Sequence, residues 1–427
     1  MKKGHHKPPK SRSLKAIFTI LFSAVFVLSA HAQNDDHGHA DATHAGHEEN
    51  CGIEHHEVAD VYNPGSVAFH HISDQNIFTI GPWYFNLPCI LYAPKVGWSF
   101  FSSKKFYVHG THGDGTLAVD GYVMYSGVVM RVPDETFPTG EVEVNGFKEG
   151  IEVVEGEEIT KYWVCYNNEL YELDQESALD GGLFNRGITS FYDFSITKNV
   201  LAMFLVALLL GWMFISIAKS YRTREGMAPK GIQSFIEPIH NFIRDDVAKA
   251  MIGPKYERYM PFIMSLFFFI LALNLFGQIP FFGNPNVTGS LAFTIVLAVF
   301  TFIVTNIHGN SNYWKHVFWM PGIPWGVKII LTPVEVMGVF LKPVTLTVRL
   351  FANITAGHIV LLSFIGLTFI FGDMGQSVGG GILGAVVGVL LGIFMSSIEL
   401  LVALLQAFIF AILSASYIGA AVADDHH

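Results

Sequence analysis

Two almost uninterrupted apolar segments constrain this chain more than any other feature. Gly326 to Phe371 is 46 residues long, and Gln376 to Ala421 is another 46. At about 1.5 Å per residue, each would make a helix on the order of 70 Å long. A hydrocarbon core is about 30 Å thick, and typical tilts of about 20° do not absorb that excess. Either each segment bends, or both lie strongly inclined in a membrane as a long hairpin. Gly372-Asp373-Met374-Gly375 would be its turn.

Three shorter apolar runs precede the pair: Ile196 to Ala218, Met260 to Phe282 and Ser290 to His308. Each is near the roughly 20 residues that a spanning helix needs. The loop 219–258 between the first two carries Lys219, Arg222, Arg224, Lys230, Arg244, Lys249, Lys255 and Arg258, whereas 283–289 carries no Lys or Arg. Positive loops stay in the cytoplasm, which puts 219–258 inside. Five spans then leave the C-terminus in the cytoplasm too. Within the loop, Ile232, Phe235, Ile236, Ile239, Phe242, Ile243 and Val247 recur at helical spacing, which predicts an amphipathic helix on the membrane surface.

Charge divides the chain into three parts. Residues 1–32 hold 6 basic and no acidic residues; 33–195 hold 26 Asp/Glu against 7 Lys/Arg; 196–427 hold 10 against 13. With only 15% charged residues overall and mean hydropathy +0.40, the chain departs from soluble domains, which average about 25% charged. The net charge of −10 argues against nucleic acid as a partner. The basic start, the apolar run Ala16 to Ala30 and Ala30-His31-Ala32 predict a signal peptide over 1–32, with a short uncleaved anchor as the alternative. Either places the next residues outside the cytoplasm.

Residues 33–58 form a His/acidic low-complexity segment. Its imidazoles, with no fixed ligand spacing, fit a solvated tail better than a defined metal site. Residues 59–190 read as a β-rich external domain. Phe106-Tyr-Val, Gly121-Tyr-Val-Met-Tyr, Gly140-Glu-Val-Glu-Val and Thr160-Lys-Tyr-Trp-Val-Cys-Tyr are short strand-like runs separated by Gly, Pro and Asn. An oxidising compartment permits one bridge among Cys51, Cys89 and Cys165, and Cys89–Cys165 is the expected pair. The all-α polytopic membrane domain is expected over 191–427.

Ionisable residues inside apolar helices are expensive, at roughly 2.5–3.5 kcal/mol on insertion scales, and usually face a polar interior. Glu335, Lys342 and Arg349 are heptad-spaced and form one stripe, which Asn353 extends at i+4. His358 lies about 180° from Arg349 round the helix. On the second long segment Glu399, Gln406 and Tyr417 share a face with Gly388 and Gly392, which allow another helix to approach closely. Arg349 cannot deprotonate, so it is a fixed cation. Glu399 and His358 are groups that can exchange protons. No nucleophile–base set and no phosphate-binding loop accompanies them. The pattern points to ion transfer, not to catalysis on a substrate.

The segment Lys342-Pro-Val-Thr-Leu-Thr-Val-Arg-Leu-Phe-Ala-Asn-Ile-Thr-Ala-Gly-His358, with Leu405-Gln-Ala-Phe-Ile-Phe410 and Asn274-Leu-Phe-Gly-Gln-Ile-Pro280, resembles subunit a of F-type ATP synthases over roughly 196–421. That resemblance implies a proton-translocating stator subunit of the Fo sector, not catalytic alone and without a cofactor or metal. It sits in a bacterial inner membrane against a ring of c subunits, with subunit b and other ATP synthase subunits as partners. Arg349 would face the ring carboxylates, release their protons and keep two half-channels apart, with Asn353 beside it. His358 and Glu399 would be a pair carried with identities exchanged relative to some members. That pair is expected on the periplasmic half-channel near Asn274 and Gln406, and Glu335 toward the cytoplasmic one. Common members lack the signal, the His-rich stretch and the acidic domain. That domain could contact stator subunits, buffer protons or shield the channel mouth. A self-contained channel or secondary transporter is the alternative class. An exported metal sensor would explain the histidines but not Arg349, Glu399 and Gln406.

Overall fold

The computed structural model describes residues 51, 73–81, 83–108, 113–154, 157–177, 189–320, 322–372 and 377–423. The expected signal peptide and all of segment 33–58 except Cys51 lie outside the described residues.

The N-terminal part is all antiparallel β. A hairpin pairs β1 (Ile77–Ile80) with β2 (Trp83–Asn86). A second sheet has the order β12 (Tyr192–Asp193), β3 (Pro88–Ala93), β4 (Gly97–Ser102). A third runs β7 (Val128–Arg131), β6 (Tyr122–Tyr125), β5 (Leu117–Val119), β8 (Glu141–Glu143). The last runs β11 (Glu169–Leu173), β10 (Glu157–Tyr166), β9 (Gly146–Val154). The tight turns explain why these strands pair locally. Asp120-Gly121, Ser126-Gly127 and Asn167-Asn168 each place two successive residues at positive φ, the conformation whose twist matches a two-residue hairpin. Phe106-Tyr-Val does not form a strand. Ser103–Phe106 is a 3₁₀ turn that Tyr107 ends at φ 46°.

The expected Cys89–Cys165 bridge is replaced by Cys51–Cys165, with Cα atoms 6.1 Å apart. Cys89 points inward from β3 into a core with Leu91, Phe106 and Tyr122, while Cys165 sits on β10 in another sheet. Asn168 accepts a hydrogen bond from the Cys51 backbone N–H, which fixes Cys51 beside the β10–β11 turn.

Beside Cys89, burial pushes the Asp193 carboxyl up to about 6, against hydrogen bonds from Ser195 and with Asp74 adding repulsion. The folded form thus holds a proton that the unfolded chain releases above about pH 4. The stability linked to this group is present below about pH 4 and is lost as pH rises to about 6, on the order of 3 kcal/mol. Asp193→Asn in the full chain is therefore expected to slow thiol labelling of Cys89 relative to the parent at pH 7.5. The gap should close as pH falls toward 4.5. Equal labelling at every matched pH would show that Asp193 carries no such cost.

The rest is helical. Helix α1 (Lys198–Thr223) starts at the sheet. Thr197 caps it and donates its hydroxyl to Asp74 Oδ2 at 2.6 Å, while Asn199 N–H donates to Asp74 Oδ1 at 3.1 Å. A carboxylate at a helix N-terminus is favoured by the exposed N–H groups. Helix α2 (Ile232–Phe242) continues as a π-helical stretch over Ile243–Lys249. Its apolar face is divided: Ile236, Ile243 and Val247 join the helical core, whereas Ile232, Phe235 and Phe242 remain exposed. Helix α3 (Tyr256–Gly277) belongs to the most buried of the candidate membrane stretches; α4 (Leu291–Ile307), α5 (Ser311–Phe318), α6 (Trp325–Phe371) and α7 (Val378–Val422) follow it in the chain.

Among the described residues, four helical stretches are long and apolar enough to cross a membrane, five if α4 and α5, bent by 107°, count as one span. The two longest match the expected hairpin. Ser377 caps α7 by accepting from Gly380 N–H at 3.2 Å, and Ser377 N–H donates to the Gly372 carbonyl at 2.8 Å. The fold is thus a β-rich domain followed by an all-α polytopic domain.

The two parts join at one end of α3. Gly81 N–H donates to the Phe281 carbonyl at 2.7 Å, and Lys198 N–H to the Gln75 carbonyl at 2.8 Å. At the other end of α3, Lys255 Nζ and Asn310 Nδ2 donate to the Val422 carbonyl at 3.1 and 3.0 Å. The β domain and the end of α7 therefore occupy opposite ends of the helical bundle.

Candidate ion-conducting site

The buried polar residues of the bundle fall into two groups at its two ends. The first lies toward the β domain. His358 on α6 and Glu399 on α7 are 8% and 5% exposed, and Nδ1 lies 2.9 Å from Oε1. The two groups approach closely, although Oε1 accepts no aligned hydrogen bond. Gly357 lies against the carboxyl: a Cβ there would meet Oε1 at 3.5 Å, an ordinary contact. Asn274, near the end of α3, donates to the Ala403 carbonyl at 3.0 Å, and its buried Oδ1 has no partner among the described residues. Gln406 is buried one turn further along α7. Thr355 donates to the Gly289 carbonyl at 3.3 Å, which fixes this level of α6 beside the start of α4.

The second group lies toward the opposite end. A narrow cleft is lined by Thr301, Thr305, Asn306, Tyr313, Lys342 and Tyr417. Lys342 Nζ is 5.4 Å from the Tyr417 ring centre, so the ammonium rests on an aromatic face. Thr301 and Ser414 hydroxyls are 3.2 Å apart, and Tyr313 donates to Asn306 Oδ1 at 3.1 Å. The Thr305 hydroxyl is buried without a partner among the described residues. Glu335, 3.8 Å from His316 on α5, lies at the outer edge of this group and not against Lys342.

Arg349 sits between the groups, seven residues after Lys342 and nine before His358. That is about 10 Å and 13 Å along the helix. Its side chain is half-buried, its charge acts on the Tyr417 hydroxyl, and Asn353 one turn on is exposed. Beside it runs a bare apolar stripe with Leu341, Val344 and Val348 on α6; Leu401, Leu404 and Leu405 on α7 are bare as well. Gly388 and Gly392 are buried on the Glu399 face of α7. The heptad stripe therefore sets Glu335 beside His316 and brings Lys342 and Arg349 both to Tyr417. Charge counting passes over the threonines of α4. Thr294, Thr301 and Thr305 are all buried, at spacings of seven and four that put them on one helix face.

A family model described as ATP synthase A chain matches residues 200–419. ATP synthase subunit a 2 of Prosthecochloris aestuarii is 41% identical over 242 residues, covering 55% of this chain and 71% of that protein. The chain belongs to the ATP synthase subunit a family. ATP synthase subunit a of Chloroherpeton thalassium is 42% identical over 242 residues, covering 55% of this chain and 69% of that protein. The equivalent protein of Chlorobium phaeobacteroides strain BS1 is 41% identical, covering 55% and 68%. A further model, described as a Domain of unknown function (DUF8433), matches residues 67–149. Membership makes the chain a multi-pass membrane subunit that works with other ATP synthase subunits.

Proposed function

We propose that this chain is the ion-conducting stator subunit of the Fo sector, with two polar half-paths that meet at Arg349. One observation carries the reading. A fixed cation lies between two clusters of buried and half-buried polar side chains set toward opposite ends of the bundle. The His358–Glu399 pair with Asn274 and Gln406 forms the path on the side of the β domain, which is the periplasmic side by the charge of 219–258. Lys342, Tyr417, Thr301 and Thr305, with Glu335 at the mouth, form the cytoplasmic path. The bare apolar stripe beside Arg349 is where a rotating c-ring docks, with subunit b among the stator neighbours. A ring carboxylate arriving at Arg349 is held ionised by the cation, since an opposite charge within about 4–6 Å favours the charged form. It has then released its proton to one path, and it takes another from the second path after moving on. The chain catalyses nothing by itself. Asn353 orients water or ring groups next to the arginine.

Silver-ion inhibition of single cysteine variants in assembled complexes tests the two paths. Asn274→Cys is expected to be inhibited only from the face that carries the β domain, and Thr305→Cys only from the opposite face. Inhibition of both from one face would contradict two separate paths. It would favour a continuous pore of the channel or transporter class.

A further inference from the structure

The sheet β12–β3–β4 is apolar on its outer face and, apart from the buried Asp193, largely apolar on its inner one. Its inner face carries Cys89, Leu91, Ala93 and Phe191 into the β core. Its outer face carries Ile90, Tyr92, Trp98, Phe100, Tyr192 and Phe194, as fixed by the pairs Ile90–Phe100, Tyr92–Trp98 and Tyr192–Tyr92. Trp98 and Phe100 are 55% and 69% exposed. The rings form one patch: Trp98 lies 5.0 Å from Tyr92, 5.9 Å from Phe100 and 5.4 Å from Phe194. The outward side chains of these strands include no charged group, although residues 33–195 hold 26 Asp/Glu. An antiparallel sheet with one wet face normally alternates apolar with polar residues, so this outer face is built to be covered.

Position says by what. Phe194 is three residues before Thr197, the cap of the first membrane helix, and its backbone pairs with Ile90. Three extended residues reach only about 10 Å. The polar layer on each side of a hydrocarbon core is about 5–7 Å deep. The patch is therefore held at the level of the headgroups by the chain itself. The neighbouring β1–β2 hairpin, tied to Phe281 by Gly81, exposes Trp83, Tyr84 and Phe85. Tyr and Trp rings with an apolar body and a polar edge are the side chains enriched in that layer.

We propose that the outer face of β12–β3–β4 rests in the headgroup layer of the bilayer around α1, so that the external domain lies against lipid. The inference needs only that α1 spans the membrane and is independent of the two half-paths. It gives the domain a mechanical role: it clamps the start of α1 and the α3–α4 connection to the membrane surface.

The test places a nitroxide at Phe100→Cys, and for comparison at Glu143→Cys, an exposed position on β8. The full chain is used in its assembled ATP synthase, reconstituted into phosphatidylcholine vesicles. Ser102→Cys, at the end of the same outer face, serves if Phe100→Cys does not assemble. Labelling of one thiol per chain shows that Cys89 and the Cys51–Cys165 bridge are intact. Relaxation by oxygen, which partitions into lipid, relative to a water-soluble nickel chelate is expected to be about fivefold higher at the patch than at 143. A ratio equal to that at 143 would mean the face is in water. Protection from both relaxants would mean that a protein subunit covers it. Either result overturns the proposal.

Discussion

Glu399→Gln is expected to lower ATP-driven proton pumping by at least about tenfold while the complex still assembles, because glutamine keeps the shape but cannot take or give a proton. The geometry sharpens the expectation for the partner. Glu399 and His358 are each more than nine-tenths buried and 2.9 Å apart, so each is the other's nearest polar partner. Removing one member of such a pair strands a buried polar group, at roughly 1–3 kcal/mol. His358→Glu places two carboxyls side by side and is expected to be as defective as Glu399→Gln. The double exchange His358→Glu with Glu399→His restores one imidazole and one carboxyl at the same separation, and is expected to regain most of the pumping. Vesicle acidification by the three variants checks this. A double variant no better than His358→Glu would show that the site reads identity and position, not the pair.

Arg349→Ala is expected to make the membrane leaky to protons. With the guanidinium gone, about 23 Å of helix between Lys342 and His358 carries no fixed cation. Nothing then repels a proton crossing from the Thr305 cleft toward Glu399. Arg349→Lys is expected to leak less, because it keeps a charge, yet to pump poorly, because an ammonium lacks the planar fork that meets a carboxylate with two hydrogen bonds. Passive decay of an imposed pH gradient, compared across parent, Arg349→Ala and Arg349→Lys vesicles, measures the difference.

Much of this was legible in the sequence, for identifiable reasons. Length alone exposed the α6–α7 hairpin, because no ordinary span needs 46 apolar residues. Cost exposed Arg349, His358 and Glu399, because buried charge in an apolar run needs an explanation. The Gly, Pro and Asn between short strand-like runs exposed the β hairpins in general, and the positive-φ pairs located their turns. What depends on distant contacts was not legible. Nothing in the spacing of Cys51, Cys89 and Cys165 encodes which sheets face each other, so the disulfide partner waited for the fold. The break between α4 and α5 falls at Gly309-Asn310, but its 107° angle, with α6 packed against both helices, was not legible. The division of the α2 face, with Ile236 buried and Phe235 bare, depends on packing against α1, and that of the π-helical stretch on α3 and α7. The aromatic face of β12–β3–β4 became visible only when the register put Tyr192, Tyr92, Trp98 and Phe100 on one side.

The central claim is that Arg349 separates two half-paths and drives proton release from a moving carboxylate. ATP-driven acidification of inverted vesicles carrying Arg349→Ala tests it most directly, with assembly checked by pull-down and ATP hydrolysis measured in parallel. The expected result is no detectable pumping by an intact complex that still hydrolyses ATP. Pumping at the parental rate would contradict the claim and leave Arg349 as a structural residue.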